Sequence, residues 1–206
     1  MSQAQSHTSS AVSHVPSSWL PASRALRSIL AVIAGTALLA ISAHIAVPLF
    51  FTPVPFTLQP LAVLLLGLLL EPGIAFATLV AYLVEGACGL PVFAPTPDVT
   101  LFHLMGPSAG FLWAYPFAVF LVSKLYRSFR PATFTTAALS ATAGAVVYFA
   151  GGASWLAVFA HQPISVALRF AVWPFLAGDA LKIVLAAAIV TGIARVRNRR
   201  SAESAA

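Results

Sequence analysis

Six apolar stretches set the terms on which this chain can fold: about Leu26–Val47, Leu58–Leu70, Gly73–Cys88, Ser108–Tyr126, Thr133–Ala150 and Phe175–Ala194. A helix needs ~20 mostly apolar residues to cross the hydrocarbon core of a bilayer, fewer where it is short or buried against others. The second and third stretches are short, so they are expected to form a hairpin packed inside the bundle. A soluble fold would need a charged exterior over such runs. Hydrophobic residues make up 60% of the 206 and charged residues only 8%, against ~25% charged in ordinary soluble domains. Five acids and eleven bases cannot cover a soluble surface. The expected fold class is an all-α integral membrane protein, a six-transmembrane-helix bundle.

The net charge of +6 does not point to nucleic acid, because the bases flank the apolar runs instead of forming a patch. Arg24 and Arg27 precede the first stretch, Lys124, Arg127 and Arg130 lie between the fourth and fifth, and Arg195, Arg197, Arg199 and Arg200 follow the last. With both termini cytoplasmic, these bases share one face and only Arg169 falls on the other, as the positive-inside rule requires. Residues 1–23, rich in Ser, Ala, Gln and His, read as a disordered cytoplasmic tail. The membrane domain then covers 24–195, and 196–206 form a short basic cytoplasmic tail. The first stretch outruns the ~7–15-residue core of a signal peptide and ends on the poor cleavage sequence Ser42-Ala-His44, so a retained span is the better reading.

Three outer segments follow from this topology: Pro48–Gln59, Gly89–Pro107 and Gly151–Pro174. Prolines at 48, 53 and 55, and at 91, 95, 97 and 107, make the first two stiff and non-helical. They also carry Leu49, Phe50, Phe51, Phe56, Val92 and Phe93, which a solvated loop has no reason to hold. Long outer loops capping a ligand pocket are therefore expected. No internal repeat marks an inverted-repeat transporter.

Ionisable groups inside a membrane are costly and mark sites. Asp179 and Lys182, in the last stretch, share a helix face at i, i+3. They are either a self-neutralising strut or a ligand contact. Glu85 is a second candidate, unless it simply reaches interfacial water. His44 reads more readily as an interhelical hydrogen bond. Thr57 and Gln59 either aim polar groups into a pocket or cap the next helix. Tyr82, Tyr115, Tyr148 and Trp155 are belt residues or pocket walls. Cys88 is the single cysteine, which excludes an internal disulfide and a cysteine metal cluster, and no metal site is expected. Gly106-Pro-Ser108-Ala-Gly110 matches the serine-hydrolase elbow, with His103 and His161 as the nearby bases an intramembrane protease would need. No phosphate-binding G-x-x-x-x-G-K-[ST] occurs, so the sequence holds no P-loop for ATP hydrolysis.

Four ordered motifs resemble the BioY family: Val54-Pro-Phe-Thr-Leu-Gln59, Ala81-Tyr-Leu-Val-Glu85-Gly-Ala-Cys-Gly-Leu-Pro-Val-Phe93, Gly106-Pro-Ser-Ala-Gly110 and Pro174-Phe-Leu-Ala-Gly-Asp179-Ala-Leu-Lys182. The resemblance spans about Leu26 to Arg195. BioY proteins are biotin-binding S components of energy-coupling factor (ECF) transporters. The resemblance implies biotin uptake across the cytoplasmic membrane of a prokaryote, with biotin as cargo, no cofactor and no enzymatic activity. It implies a transmembrane coupling protein and ATPase subunits as partners, beside the lipid bilayer; a homo-oligomer is compatible with it. The candidate ligand contacts are Asp179, Lys182, Gln59, Thr57, Glu85, Tyr82, Phe93, Gly110 and Trp155. Ala31 and Gly35, a small-xxx-small pair on the first helix, are expected either at the partner interface or in packing within the bundle. The family's Gly-Pro-Thr-Gly-Gly-Tyr stands here as Gly106-Pro-Ser-Ala-Gly-Phe111, and the loop 94–105 carries Asp98 and His103 in place of the usual Gly-rich pattern. An S component for another vitamin, or an ion-coupled transporter using Asp179, are the alternative functions; a protease at Ser108 is a remote one.

Overall fold

The computed structural model describes residues 19–95, 100–129 and 133–203. Most of the expected N-terminal tail, Pro97, Asp98, Arg130 and Pro131, and the end of the C-terminal tail lie outside the described residues. The helices are α1 (Trp19–His44), α2 (Gln59–Leu69), α3 (Pro72–Ala87), α4 (Ala109–Ser128), α5 (Phe134–Phe159), α6 (Ile164–Ala171) and α7 (Leu176–Glu203). A 3-10 turn covers Thr100–Leu104, and two-residue strands β1 (Ala46–Val47) and β2 (Phe56–Thr57) pair antiparallel. α1 thus begins at Trp19, inside the segment assigned to the tail.

Among the described residues α1, α4, α5 and α7 are long and apolar enough to cross a membrane. α2 and α3, at 11 and 16 residues, are only ~16 and ~24 Å long at ~1.5 Å per residue. Both carry a proline in the first turn, where the missing N–H costs nothing. The expected inner hairpin is only half right. α2 runs through the centre, buried from Gln59 to Leu68 on most of its surface and packed against α1, α4, α5 and α7. α3 instead packs on α1 and α4 and turns Val80 and Val84 outward. Exposed Ile29, Ile33 and Ile41 on α1 and Val146 on α5 give the bundle an apolar exterior.

The third outer segment differs from expectation. α5 continues through Gly151-Gly152 to Phe159, and α6 occupies most of the rest. The glycines do not break the helix; they let α4 approach. A Cβ on Gly151 would lie 2.6 Å from that of Ala114 and 3.0 Å from the Gly110 carbonyl. The chain leaves α5 through His161 at φ 52° and re-enters helix after Pro163.

The two ends of the bundle differ in character. At one, Arg24 and Arg27 line a cavity with Glu71 and Ile74, and the Arg127 guanidinium donates to the Leu69 carbonyl at 3.4 Å. At the other, the loop segments tie together: the Thr52 hydroxyl donates to the Phe170 carbonyl and the Trp155 indole to that of Gly106, each at 2.8 Å. Phe93 is buried and Phe56 and Val92 are half-buried, as expected of loops folded over a bundle. Phe50 and Phe51 are not: Phe50 is 101% exposed, at the tip of the β1–β2 connection, edge-on to Phe51.

Candidate functional site

A pocket opens under the loop end, where the first turns of α7 meet α2, α4, α5 and the β1–β2 connection. Helix geometry places Asp179 and Lys182 on one face of α7, and both are 3% exposed. The Lys182 ammonium donates to Asp179 Oδ1 at 2.6 Å, and the Tyr148 hydroxyl, from α5, donates to Oδ2 at 2.7 Å. Lys182 Nζ also lies 4.1 Å from the centroid of the Phe56 ring, a cation–π contact. Phe56 stacks on Phe175 at 6.1 Å and is held by β pairing with Val47. Gly178 makes this possible, because a Cβ there would overlap the Phe56 ring. The result is an ion pair of zero net charge with unused capacity. A carboxylate offers about four lone-pair sites and an ammonium three donors, and one bond to each carboxylate oxygen and one from the ammonium are spoken for.

Gln59 lines another wall, backed by Tyr82. The Gln59 amide donates to the Tyr82 hydroxyl at 3.1 Å, which donates to the Val92 carbonyl at 2.7 Å. Phe93 packs edge-on against Tyr82 at 5.3 Å and near His103 at 5.6 Å. Thr57 lines the pocket, and its hydroxyl accepts from the Gln59 N–H at 3.2 Å just before α2, whose cap position is Leu58. Phe111, Leu112, Tyr115 and Phe149 complete apolar walls. The space between these walls is about 570 Å³ with the open mouth included.

A family model described as the BioY family matches residues 9–199. The chain belongs to the BioY family. A protein named probable biotin transporter BioY from Pyrococcus horikoshii is 33% identical over 153 residues, 74% of this chain and 87% of its own. The biotin transporter BioY of Thermotoga maritima is 32% identical over 165 residues, 80% of this chain and 94% of its own. The crystal structure of the S-component for biotin from an ECF-type ABC transporter shares the fold, with TM-score 0.73 at 24% identity over 84% of this chain and 93% of that one.

In this BioY-family chain the pocket gathers Thr57, Gln59, Phe93, Asp179 and Lys182. Tyr82 is buried behind Gln59, hydrogen-bonded to it, and does not line the pocket. Glu85 is half-buried on α3 and does not line the pocket. Gly110 and Trp155 do not line it either: a Cβ on Gly110 would overlap Trp155, so the pair sets the close α4–α5 contact. Gly35 is buried, and a Cβ there would collide with Thr78 and sit 3.3 Å from Leu66. It packs within the bundle, the second of its two expected places, while Ala31 is half-buried. The His44 ring bonds the Ala40 carbonyl of its own helix at 2.8 Å, and among the described residues it bonds no other helix. Ser108 precedes α4 at φ −91°, ψ −2°, without the strained strand-to-helix elbow that a hydrolase serine needs. Sequence reasoning left Tyr148 undecided between belt and wall, and gave Phe56 and Phe175 no place at the site. A hydroxyl in mid-span and an aromatic between Pro55 and Thr57 were the available signals.

Proposed function

We propose that the chain takes up biotin across the cytoplasmic membrane as the substrate-binding subunit of an ECF-type transporter. The observation that carries this reading is the buried Asp179–Lys182–Tyr148 cluster lining the pocket. Because the pair is neutral, it has no attraction for an anion, and a carboxylate placed there would meet Asp179. A neutral head with N–H donors on either side of a carbonyl suits it better. The ureido ring of biotin is such a head: its N–H groups donate to Asp179, and its carbonyl accepts from Lys182. The thiophane ring and methylenes then run along Phe93, Phe111, Phe149 and Phe175. The valerate carboxylate points away from the pair, toward the mouth, where His103 and Ser108 line both the pocket and the adjoining outer groove.

The topology belongs to the same reading. α2 and α3 complete six crossings, and the end bearing Arg24, Arg27 and Arg127 faces the cytoplasm under the positive-inside rule. The coupling protein and ATPases would supply the nucleotide chemistry this sequence lacks. The test is uptake of radiolabelled biotin by cells lacking their own biotin transporter and expressing this chain. Accumulation blocked by excess biotin, and not by thiamine or riboflavin, is expected. Accumulation of a different vitamin would move the chain to another S component. Uptake abolished by a protonophore while ATP is maintained would favour a proton-coupled transporter using Asp179.

A further inference from the structure

An exposed flank of α7 carries a groove unrelated to the biotin pocket, lined by Ile189, Gly192, Ile193, Val196, Arg197 and Arg200. Ala186, Ala187 and Val190, beside it on the same helix, are buried in the core. Ile189, Ile193 and Val196 are exposed, and a Cβ on Gly192 would meet nothing within 4 Å, so Gly192 forms an open notch between them. α7 has 28 residues, ~42 Å at ~1.5 Å per residue, against a hydrocarbon core of ~30 Å. Counted from Leu176, the core is used up after roughly twenty residues, near Arg195. Ile189 to Val196 therefore lie at the depth of acyl chains and their ends, and Arg197 and Arg200 lie at the depth of headgroups. At i, i+3 these two arginines share a helix face, and they line the groove while Arg195 and Arg199 do not.

We infer that this groove binds one anionic phospholipid, with an acyl chain along Ile189, Gly192 and Ile193 and the phosphate on Arg197 and Arg200. A groove that is apolar over its membrane length and cationic at its end is complementary to an amphiphile with an apolar tail and an anionic head. Guanidinium pairs bind phosphate oxygens with charge-assisted, directional bonds. A diffuse negative membrane surface would attract all four C-terminal arginines alike; a built site uses two of them.

The experiment is native mass spectrometry of the full chain in an uncharged detergent, with phosphatidylglycerol or phosphatidylcholine added and biotin binding checked in every variant as the sign of an intact fold. The wild type is expected to retain one phosphatidylglycerol about tenfold more strongly than phosphatidylcholine. Arg197→Gln with Arg200→Gln should weaken that retention by roughly tenfold or more, the loss of one or two charge-assisted bonds. Arg195→Gln with Arg199→Gln, which removes the same charge, should leave it within about threefold, under half a tenfold step in free energy. Gly192→Leu should fill the notch and weaken retention although the arginines remain. Equal losses from both arginine pairs would overturn the inference in favour of general surface attraction. Retention of both lipids alike, or no effect of Gly192→Leu, would overturn it too, as would displacement of the lipid by a second copy of the chain cross-linked through residue 192.

Discussion

Replacing Asp179 separates a pair that serves the ligand from one that serves only the fold. Asp179→Asn keeps the shape and the Tyr148 contact at 2.7 Å, but strips Lys182 of the anion 2.6 Å away. Breaking a buried ion pair from one side costs ~3–5 kcal/mol, because the remaining charge stays desolvated. The single variant should therefore show a lowered thermal midpoint in detergent. Neutralising both partners, with Lys182→Gln added, removes the stranded charge and should restore most of that stability. Binding should not follow stability. The double variant has exchanged an ionised acceptor for an amide that presents a donor to the ureido N–H. The loss of one charge-assisted hydrogen bond, ~1.5–3 kcal/mol, lowers affinity roughly ten- to a hundred-fold, since each ~1.4 kcal/mol is tenfold. Thermal unfolding and calorimetric titration on one preparation give both numbers. A double variant that is stable and binds biotin as tightly as the wild type would refute the site and leave the pair as a strut.

Three further outcomes follow from the geometry. Gly178→Val would drive a side chain into the Phe56 ring and displace it from Lys182, so biotin affinity should fall, at an overpacking cost of ~1–3 kcal/mol; unchanged titration would contradict the placement of Phe56. Gly35→Leu should destabilise the isolated chain, as seen in its thermal midpoint, because the new side chain meets Thr78; a variant that keeps its midpoint and loses only its coupling partners would put Gly35 at the partner interface after all. In a Cys88→Ser background, needed because Cys88 is exposed, Phe50→Cys should react with an impermeant thiol reagent in intact cells and Arg199→Cys should not. The reverse pattern would invert the topology.

The four long apolar helices α1, α4, α5 and α7 were legible because helices in a bilayer advertise themselves by long apolar runs and by the bases that stop them. Asp179 and Lys182 stood out for the complementary reason, as charges where charge is expensive. What the sequence hid depends on three-dimensional packing. Gly151-Gly152 looked like the end of a helix and is instead where α4 and α5 approach, because a missing side chain permits close contact as readily as it permits a turn. α6 was hidden for a related reason, lying between Pro163 and Pro174 in a segment too short to read as a span. Gly35 and Gly110 sit in tight helix contacts, and composition does not distinguish a glycine facing a partner from one facing its own bundle. Phe50, expected to fold inward with its neighbours, instead lies exposed in the connection between the two short strands. Tyr148 could be recognised as a site residue only once α5 was placed opposite α7.

Calorimetric titration of the purified wild-type chain in detergent, with biotin, thiamine and riboflavin as titrants, asks whether this pocket holds biotin. Saturable heat at one biotin per chain is expected, and none from the other two vitamins. Saturation by thiamine or riboflavin with no heat from biotin would contradict that expectation.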